Sequence, residues 1–297
     1  MSGSEPSVLL EGGHFFEGPR WHDGRWWVSD FYAHAVLTVT PEGSRETVLE
    51  VEGQPSGLGW MPDGSMLVVS MKDRQLLRRW PGGEVSVHAE LGGLADGHLN
   101  DLVVDAGGAA YVGSFGFDLM AGESPRETVL IRVEPDGSSR VVADELRFPN
   151  GTLITPDGST LIVAETIASR LTAFAIAADG SLSDRRVFSQ VEPTPPLEES
   201  IGALGFAPDG CSLDDEGHIW AADAIGRRCC RVVEGGGIVE QIPAPDGLGI
   251  FACALGGVDG RDLLLCAAPD FFESARAPVT EAVLLLARAP RPHAGLP

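Results

Sequence analysis

Residues 156–163, Pro156-Asp157-Gly158-Ser159-Thr160-Leu161-Ile162-Val163, join a glycine-containing turn to a run of β-branched and aliphatic residues. An apolar run, such a turn and a second apolar run form the pattern of a β-hairpin. The pattern occurs six times along the 297 residues, with neighbouring turns 40 to 59 residues apart. The six turn glycines are Gly24, Gly64, Gly107, Gly158, Gly217 and Gly260.

The segments between these hairpins supply two more short strands each, for example Leu76–Trp80 and Val85–Ala89. A repeat of about 47 residues with four strands is the size of one propeller blade. We therefore predict an all-β fold, a six-bladed β-propeller with four-stranded antiparallel blades. The N-terminal strand Ser7–Leu10 is expected to pair with C-terminal strands near Ala282–Ala287, which closes the ring.

A two-sheet sandwich or two tandem β-domains are the alternative folds. Neither requires one hairpin signal to repeat six times, so the repeat favours the propeller. The six repeats account for nearly the whole chain, which predicts one domain over residues 1–297. We expect residues 1–6 and 290–297 to be flexible tails.

The charge of the chain restricts its partners. It has 21 Lys and Arg residues against 43 Asp and Glu residues, so its formal net charge is −22. Such an acidic protein repels phosphate backbones and anionic membrane surfaces, and we expect neither nucleic-acid nor membrane binding. No stretch approaches the roughly 18 consecutive apolar residues of a membrane helix.

Residues 1–11 lack the basic and apolar regions of a signal peptide. The five cysteines have no CxxC spacing, which argues against a disulfide framework or a zinc cluster. Reduced, buried thiols in a cytoplasmic protein are the simplest interpretation. We expect a monomer or a weak homo-oligomer.

One position of each repeat carries polar side chains. Counting back seven or eight residues from the turn glycine reaches the start of the first strand, which in a propeller faces the central channel. Four repeats have a carboxylate or carboxamide there, whereas the sixth offers no acid. The six positions are Glu17, Ser56 or Gly57, Asn100, Asn150, Asp209, and Ala252 or Cys253.

Oxygen ligands without paired His or Cys suit a hard divalent cation such as Ca²⁺ or Mg²⁺. Pro149-Asn150-Gly151 and Pro208-Asp209-Gly210 are, taken singly, ordinary β-turn sequences. Four polar residues in phase with a sixfold repeat favour instead a metal or substrate site. An open coordination position there would allow metal-assisted chemistry.

Six short motifs occur along the chain in a fixed order. They are Phe16-Glu17-Gly18-Pro19-Arg20-Trp21, Leu99-Asn100-Asp101, Phe148-Pro149-Asn150-Gly151, Pro208-Asp209-Gly210, Asp215-Glu216-Gly217-His218-Ile219-Trp220 and Cys253-Ala254-Leu255-Gly256-Gly257. In their order and spacing, which extend over most of the chain, they resemble the senescence marker protein 30 (SMP-30)/gluconolactonase/luciferin-regenerating-enzyme superfamily. The resemblance implies a six-bladed propeller with one divalent metal near the channel mouth, and many members hydrolyse lactones.

The resemblance also implies roles for individual residues. Glu17, Asn150 and Asp209 fall on metal-ligand positions, and Asp209 falls on the position proposed as general base in sugar lactonases. Asn100 falls on a position that contacts the water on the metal or the substrate. The cofactor is one divalent cation, with Ca²⁺ favoured over Mg²⁺, Mn²⁺ or Zn²⁺. To substrate binding we assign Asn100, His98, Asp101 and Phe115.

Two departures from the family bear on the substrate. Many sugar lactonases have Arg two residues before the Asn, where this chain has His98, so a guanidinium that grips hydroxyls is missing. The stretch Phe115-Gly116-Phe117-Asp118-Leu119-Met120 is aromatic and apolar, which favours a less polar lactone or ester. His98 either contacts substrate and moves a proton or is a loop histidine without a catalytic role.

The first functional hypothesis is therefore a divalent-metal-dependent lactone or ester hydrolase. The alternatives are a non-catalytic, metal-stabilised binding propeller, or another metal-assisted hydrolysis or isomerisation of a small metabolite. A serine nucleophile has no support, because the chain has no Gly-x-Ser-x-Gly motif. Four strand-end residues either surround the site or hydrogen-bond to loops: Asp30, Ser114, Glu165 and Asp223.

Overall fold

A computed structural model describes residues 5–297. It contains six four-stranded sheets, and every pairing within them is antiparallel. The innermost strand of each sheet packs against the innermost strands of the two neighbouring sheets. The six sheets therefore form a closed ring. The predicted six-bladed propeller is confirmed.

The first three blades follow the chain in order. Blade one contains β2 (Phe16–His22), β3 (Arg25–Asp30), β4 (Ala35–Val39) and β5 (Arg45–Glu50). Blade two contains β6 (Pro55–Trp60), β7 (Met66–Ser70), β8 (Gln75–Arg79) and β9 (Val85–Glu90). Blade three contains β10 (Leu99–Val104), β11 (Ala110–Ser114), β12 (Thr128–Val133) and β13 (Ser139–Leu146).

The last three blades complete the ring. Blade four contains β14 (Pro149–Ile154), β15 (Thr160–Glu165), β16 (Arg170–Ile176) and β17 (Leu182–Gln190). Blade five contains β18 (Pro208–Leu213), β19 (Ile219–Asp223), β20 (Arg228–Val232) and β21 (Ile238–Pro243). Blade six contains β22 (Gly249–Gly256), β23 (Asp262–Ala268), β24 (Ala282–Arg288) and β1 (Ser7–Gly13).

The two chain ends close the ring as predicted. In blade six, β1 is the outermost strand and pairs with β24, with Ser7 opposite Leu286. The short helices α1 (Ser200–Ala203) and α2 (Glu273–Arg276) lie in long excursions between strands. Within residues 5–297, no helix is long and apolar enough to cross a membrane.

The turn glycines allow the hairpins to form. Gly158 has φ +71° in the turn between β14 and β15, a conformation that side chains other than glycine rarely adopt. In blade three the residue with positive φ is Gly108 (+89°) and not Gly107, one residue later than expected. The remaining turn glycines with positive φ are Gly24, Gly64, Gly217 and Gly260.

The core lies between neighbouring blades. Trp26 and Trp220 are almost completely buried, at 1% and 0% exposure. Trp26 meets Trp21 edge-on at 4.8 Å between ring centroids, and both rings crowd Gly256 of blade six. These tryptophans therefore pack neighbouring blades against each other.

The C-terminal segment contacts the ring. The backbones of Ile154 and Leu296 exchange two hydrogen bonds of 2.9 Å, and Ala294 N–H donates to the Leu213 carbonyl at 2.9 Å. We expected residues 290–297 to be a flexible tail, but these bonds place the segment against blades four and five. Residues 1–4 of the expected N-terminal tail lie outside the described residues.

Candidate metal and substrate site

The four predicted polar residues are each the second residue of an innermost strand. They are Glu17 in β2, Asn100 in β10, Asn150 in β14 and Asp209 in β18. In each of these strands the pairing register shifts at that position or directly after it. A β-bulge re-aims the side chain beside it, and here all four side chains line one cavity at the end of the channel.

Glycines next to these residues allow the inner strands to approach each other. A Cβ atom on Gly151 would lie 2.5 Å from the Asp209 carbonyl oxygen, closer than such atoms can come. A Cβ atom on Gly18, which has φ +55°, would lie 2.7 Å from the Ser56 carbonyl oxygen. At these two positions the Gly after the polar residue is therefore a packing requirement that brings neighbouring inner strands together.

The cavity has a volume of about 720 Å³, counting the solvent-open part at its mouth. Besides the four polar residues, its wall includes His98 and Phe115, as predicted. Blade six contributes Phe251, because its inner strand has the register shift between Ile250 and Ala252. Counting back from the turn placed this position one or two residues too late.

The two carboxylates of the site are destabilised in their charged form. Glu17 is 8% exposed, and burial and the charge of Asp101 raise its pKa to about 8 despite a hydrogen bond from Gly18 N–H. Burial and the negative charge of Glu17 also raise the pKa of Asp209. Neither carboxylate forms an ion pair within residues 5–297. The charge of Arg20 offsets the rise in the Glu17 pKa only in part, so the site holds two acids without an ion-paired positive charge.

The two amides have their nitrogens bonded to protein atoms, in one case of the next blade and in the other of the same blade. Asn100 Nδ2 donates to the Pro149 carbonyl at 3.1 Å, and Asn150 Nδ2 donates to Thr166 Oγ1 at 3.3 Å. Thr166 Oγ1 in turn donates to the Pro208 carbonyl at 2.8 Å. Each amide therefore has a fixed orientation, and its oxygen is the acceptor that remains for a cation or a substrate.

This donor set fits a hard divalent cation. Two carboxylates and two amide oxygens are ligands that Ca²⁺ and Mg²⁺ prefer, and a cation would relieve the repulsion between Glu17 and Asp209. Nowhere in residues 5–297 do three or more His, Cys, Asp or Glu side chains form a group that could hold a metal. A metal here would therefore depend on Asn150 or Asn100 as a further ligand.

Asp101 has surroundings unlike those we expected. It is buried, and its Oδ1 lies 2.6 Å from Arg20 Nη2 and accepts a hydrogen bond of 2.8 Å from Leu102 N–H. It does not line the cavity. The structure therefore brings Asn100, His98 and Phe115 to the cavity wall but leaves Asp101, the fourth residue assigned to substrate binding, paired inside the ring.

Three of the four strand-end residues hydrogen-bond to loops, which was one of the two interpretations left open, whereas Ser114 bonds to a residue of β12. Asp30 accepts hydrogen bonds from the backbone N–H groups of His14 (3.0 Å) and Phe15 (3.1 Å), just before β2. Asp223 accepts one from Ala207 N–H (3.1 Å), just before β18. These carboxylates fix the chain that leads into the site. Glu165 accepts from Arg147 N–H at 2.9 Å, and Ser114 bonds to Thr128 Oγ1 at 2.6 Å.

His98 has a less basic ring than an exposed histidine. Burial lowers its pKa, so the ring is neutral near pH 7. The ring centroid lies 6.0 Å from that of Phe115, and the His98 carbonyl accepts a hydrogen bond from Phe115 N–H at 2.8 Å. The two residues therefore form one part of the wall.

Sequence reasoning missed several polar residues of the wall. Lys72 is the single lysine of the sequence, next to 20 arginines, and that rarity was a usable signal. Thr166 follows the strand-end residue Glu165 directly and could have been found from it. No signal pointed to the remaining three, which are Tyr32, Gln54 and Glu273.

Comparisons with known proteins place this chain in a family. A family model described as "SMP-30/Gluconolactonase/LRE-like region" matches residues 15–269. The pentonolactonase XacC of Haloferax volcanii is 28% identical over 213 residues, which are 69% of this chain and 65% of that protein. This chain therefore spans less than two thirds of that relative's length.

Two further proteins are similar over more of their length. The 6-deoxy-6-sulfogluconolactonase of Pseudomonas putida is 23% identical over 248 residues, covering 80% of this chain and 77% of that one. The crystal structure of a calcium-binding protein, regucalcin from Agrobacterium tumefaciens, superposes with a TM-score of 0.74 at 21% identity. It covers 98% of this chain and 96% of that chain. At this identity the superposition supports the fold alone.

Proposed function

Because this chain belongs to the SMP-30/gluconolactonase/LRE-like family, we propose that it hydrolyses a small lactone in the cavity that Glu17, Asn100, Asn150 and Asp209 line. The observation that carries the proposal is the convergence of the buried Glu17 carboxylate and the partly exposed Asp209 carboxylate, neither of them in an ion pair, on two oriented amides. A scaffold that only binds a partner has no need for such a costly arrangement. The lactonase names of the two relatives support the same chemistry.

The proposed cofactor is one divalent cation held by Glu17, Asn150 and Asp209. Ca²⁺ is the favoured ion, since the donors are oxygens and the similar regucalcin structure is described as a calcium-binding protein. Mg²⁺, Mn²⁺ and Zn²⁺ are the alternatives. When bound, the cation would polarise the lactone carbonyl and lower the pKa of water.

The residues of the chain would handle the protons. Asp209 orients a water molecule and accepts its proton as the water oxygen attacks the lactone carbonyl carbon. Asn100 has a second Nδ2–H, besides the one bonded to Pro149, that can donate to the developing oxyanion. The ring C–O bond then breaks, and the proton returns to the alkoxide to give the hydroxy acid.

The compartment is proposed on the state of the cysteines. All five are free and buried, and none is paired in a disulfide. Free thiols of this kind persist in a reducing environment, and we propose the cytoplasm.

The test is a panel of aldonolactones, aliphatic lactones and aromatic lactones, measured by pH-stat with each metal and with chelator. We expect turnover that chelator abolishes, and Asp209→Ala should lose it while the β-sheet circular dichroism stays intact. Pro135-Asp136-Gly137 provides a matched control, because this Pro-Asp-Gly tripeptide forms an exposed turn. Asp136→Ala should keep full activity. Full activity of Asp209→Ala, or turnover that chelator does not change, would refute the assignment.

A further inference from the structure

Aromatic rings dominate the wall of the cavity above the carboxylates. We define the aromatic wall as Phe15, Phe31, Phe115, Phe148, Phe251 and Phe271, all of which line the cavity.

The aromatic wall has two sides. On the side of blades one and six, the Phe15 ring centroid lies 5.4 Å from Phe31 and 5.0 Å from Phe251. On the side of blades three and four, the Phe115 and Phe148 centroids lie 4.3 Å apart. In a ring of six blades, blades one and six are opposite blades four and three. The two sides therefore face each other with the carboxylates and amides below them.

The polar side chains of the wall are already bonded to protein atoms. Tyr32 OH donates to the Phe271 carbonyl at 2.6 Å. Lys72 Nζ lies 2.9 Å from both carboxylate oxygens of Glu273, and Gln54 Nε2 donates to Glu273 Oε1 at 3.2 Å. Along residues 5–297, the His98 ring has no hydrogen-bond partner, so it is the one wall side chain above the carboxylates and amides with its polar atoms uncommitted.

Phe148 has a backbone conformation that is unfavourable for a phenylalanine. Its φ is +60°, in the left-handed region where bulky residues are rare, and its ring is nevertheless buried at 7% exposure against the cavity. Strain of this kind persists where the surrounding structure holds it, and it clusters at functional sites. The backbone thus keeps an aromatic ring on the wall at a position suited to Gly or Asn.

We propose, resting on the proposed lactonase function, that the substrate is a lactone whose ring bears an uncharged alkyl or aryl substituent, which the aromatic wall binds. Sugar hydroxyls would lose water here and would find His98 as the one wall side chain without a hydrogen-bond partner, since the other polar wall side chains named above are bonded to protein atoms. An apolar substituent gains free energy from the same burial. The net charge of −22 also disfavours an anionic substituent.

The test measures kcat/KM of the metal-loaded protein on γ-lactones with side chains of increasing length, on dihydrocoumarin and on glucono-1,5-lactone. We expect an increase of about fourfold for each added methylene until the cavity is full, which corresponds to about 0.8 kcal/mol. Gluconolactone should be at least about a hundredfold poorer than the best alkyl lactone. A flat series, or gluconolactone as the better substrate, would overturn the proposal.

A binding measurement separates this proposal from the proposed function. Isothermal titration would compare 2-pentylcyclopentanone, which cannot be hydrolysed, with 2-methylcyclopentanone and xylitol. Tighter binding of the pentyl ketone without turnover of any lactone supports the apolar wall and refutes the hydrolase. Equal binding of the three compounds refutes the apolar wall whatever the turnover.

The matched variants Phe148→Asn and Glu145→Asn test whether the gain in kcat/KM per methylene depends on the aromatic wall. Both residues have positive φ, +60° and +53°, and Asn tolerates that conformation, so neither variant strains the backbone. Glu145 is exposed and does not line the cavity. Phe148→Asn should reduce the gain per methylene to twofold or less, and Glu145→Asn should leave it unchanged. An unchanged gain in Phe148→Asn, with an intact thermal transition, contradicts the proposal.

Discussion

Arg20 of blade one and Asp101 of blade three form an ion pair across the inner strand of blade two, with 2.6 Å between Arg20 Nη2 and Asp101 Oδ1. Their side chains are only 4% and 9% exposed. Arg20 Nε also donates to the Leu58 carbonyl at 3.0 Å. One carboxylate near the site is thus neutralised by a guanidinium, whereas Glu17 and Asp209 have no basic partner within residues 5–297.

Replacing Arg20 by Met should destabilise the fold by about 3–5 kcal/mol, because it leaves the buried charge of Asp101 unpaired. The double variant Arg20→Met/Asp101→Leu removes both charges and should recover most of that loss. Urea denaturation of the four proteins measures the coupling energy between the two side chains. Losses that simply add in the double variant would mean that the pair contributes no coupling.

The metal-free protein should lose stability as the pH rises. Burial raises the pKa of Glu17 to about 8 from the 4.5 expected in an unfolded chain. The folded state therefore binds this proton more tightly, and the free energy of unfolding falls as pH rises from about 4.5 to about 8. We expect a loss of roughly 4 kcal/mol from this carboxyl group over that range. Thermal denaturation in chelator between pH 5 and 8 measures it.

The variant Glu17→Gln is the control for this pH dependence. It keeps the shape of the side chain but has no proton to lose, so its metal-free form should be the more stable one at pH 8. Added Ca²⁺ should raise the melting temperature of the parent at pH 8 and not that of the variant. If the stability of the two metal-free proteins depended on pH in the same way, Glu17 would not titrate as described.

Thr166 should position the amide of Asn150. Its hydroxyl accepts from Asn150 Nδ2 at 3.3 Å and donates to the Pro208 carbonyl at 2.8 Å, so it joins blades four and five at the site. Thr166→Val keeps the volume and removes both bonds, and we expect metal affinity to fall by about tenfold or more. Calorimetric titration with Ca²⁺ measures this. Thr38→Val, a buried threonine of β4, should leave the affinity unchanged.

The repeat made the ring predictable. Each hairpin has a turn glycine and short runs of β-branched and aliphatic residues, and both are local features that a sequence displays. The second residue of an inner strand lies seven or eight residues before the turn glycine in most hairpins. It could therefore be found by counting back from the turn. In blade six the longer strands β22 (eight residues) and β23 (seven residues) shifted the count, so Phe251 was missed.

Asp101 shows what the alternation of a strand could have added. Neighbouring side chains on a strand point to opposite faces, so alternation would have placed only one of Asn100 and Asp101 at the cavity, whereas we assigned both to substrate binding. The pairing of Lys72 with Glu273 was beyond prediction for another reason. The two residues are 201 positions apart, and Glu273 lies in an excursion between β23 and β24 that follows no repeat.

The ion pair of Lys72 and Glu273 at the mouth of the cavity should control how strongly the hydroxy acid product is held. Both side chains are partly exposed, at 37% and 34%, so the pair contributes little to stability. Lys72→Met leaves a free carboxylate at the mouth, which repels the product carboxylate and should raise the inhibition constant of the product about twofold to fivefold. Glu273→Gln leaves a free ammonium group and should lower that constant by a similar factor.

The double variant Lys72→Met/Glu273→Gln has neither charge and should return close to the parent value. All three shifts should shrink in 0.5 M salt, because screening weakens interactions between exposed charges. Product inhibition at low and high salt measures them, and shifts of the same sign in the two single variants would show that the pair acts through the shape of the mouth and not through its charge.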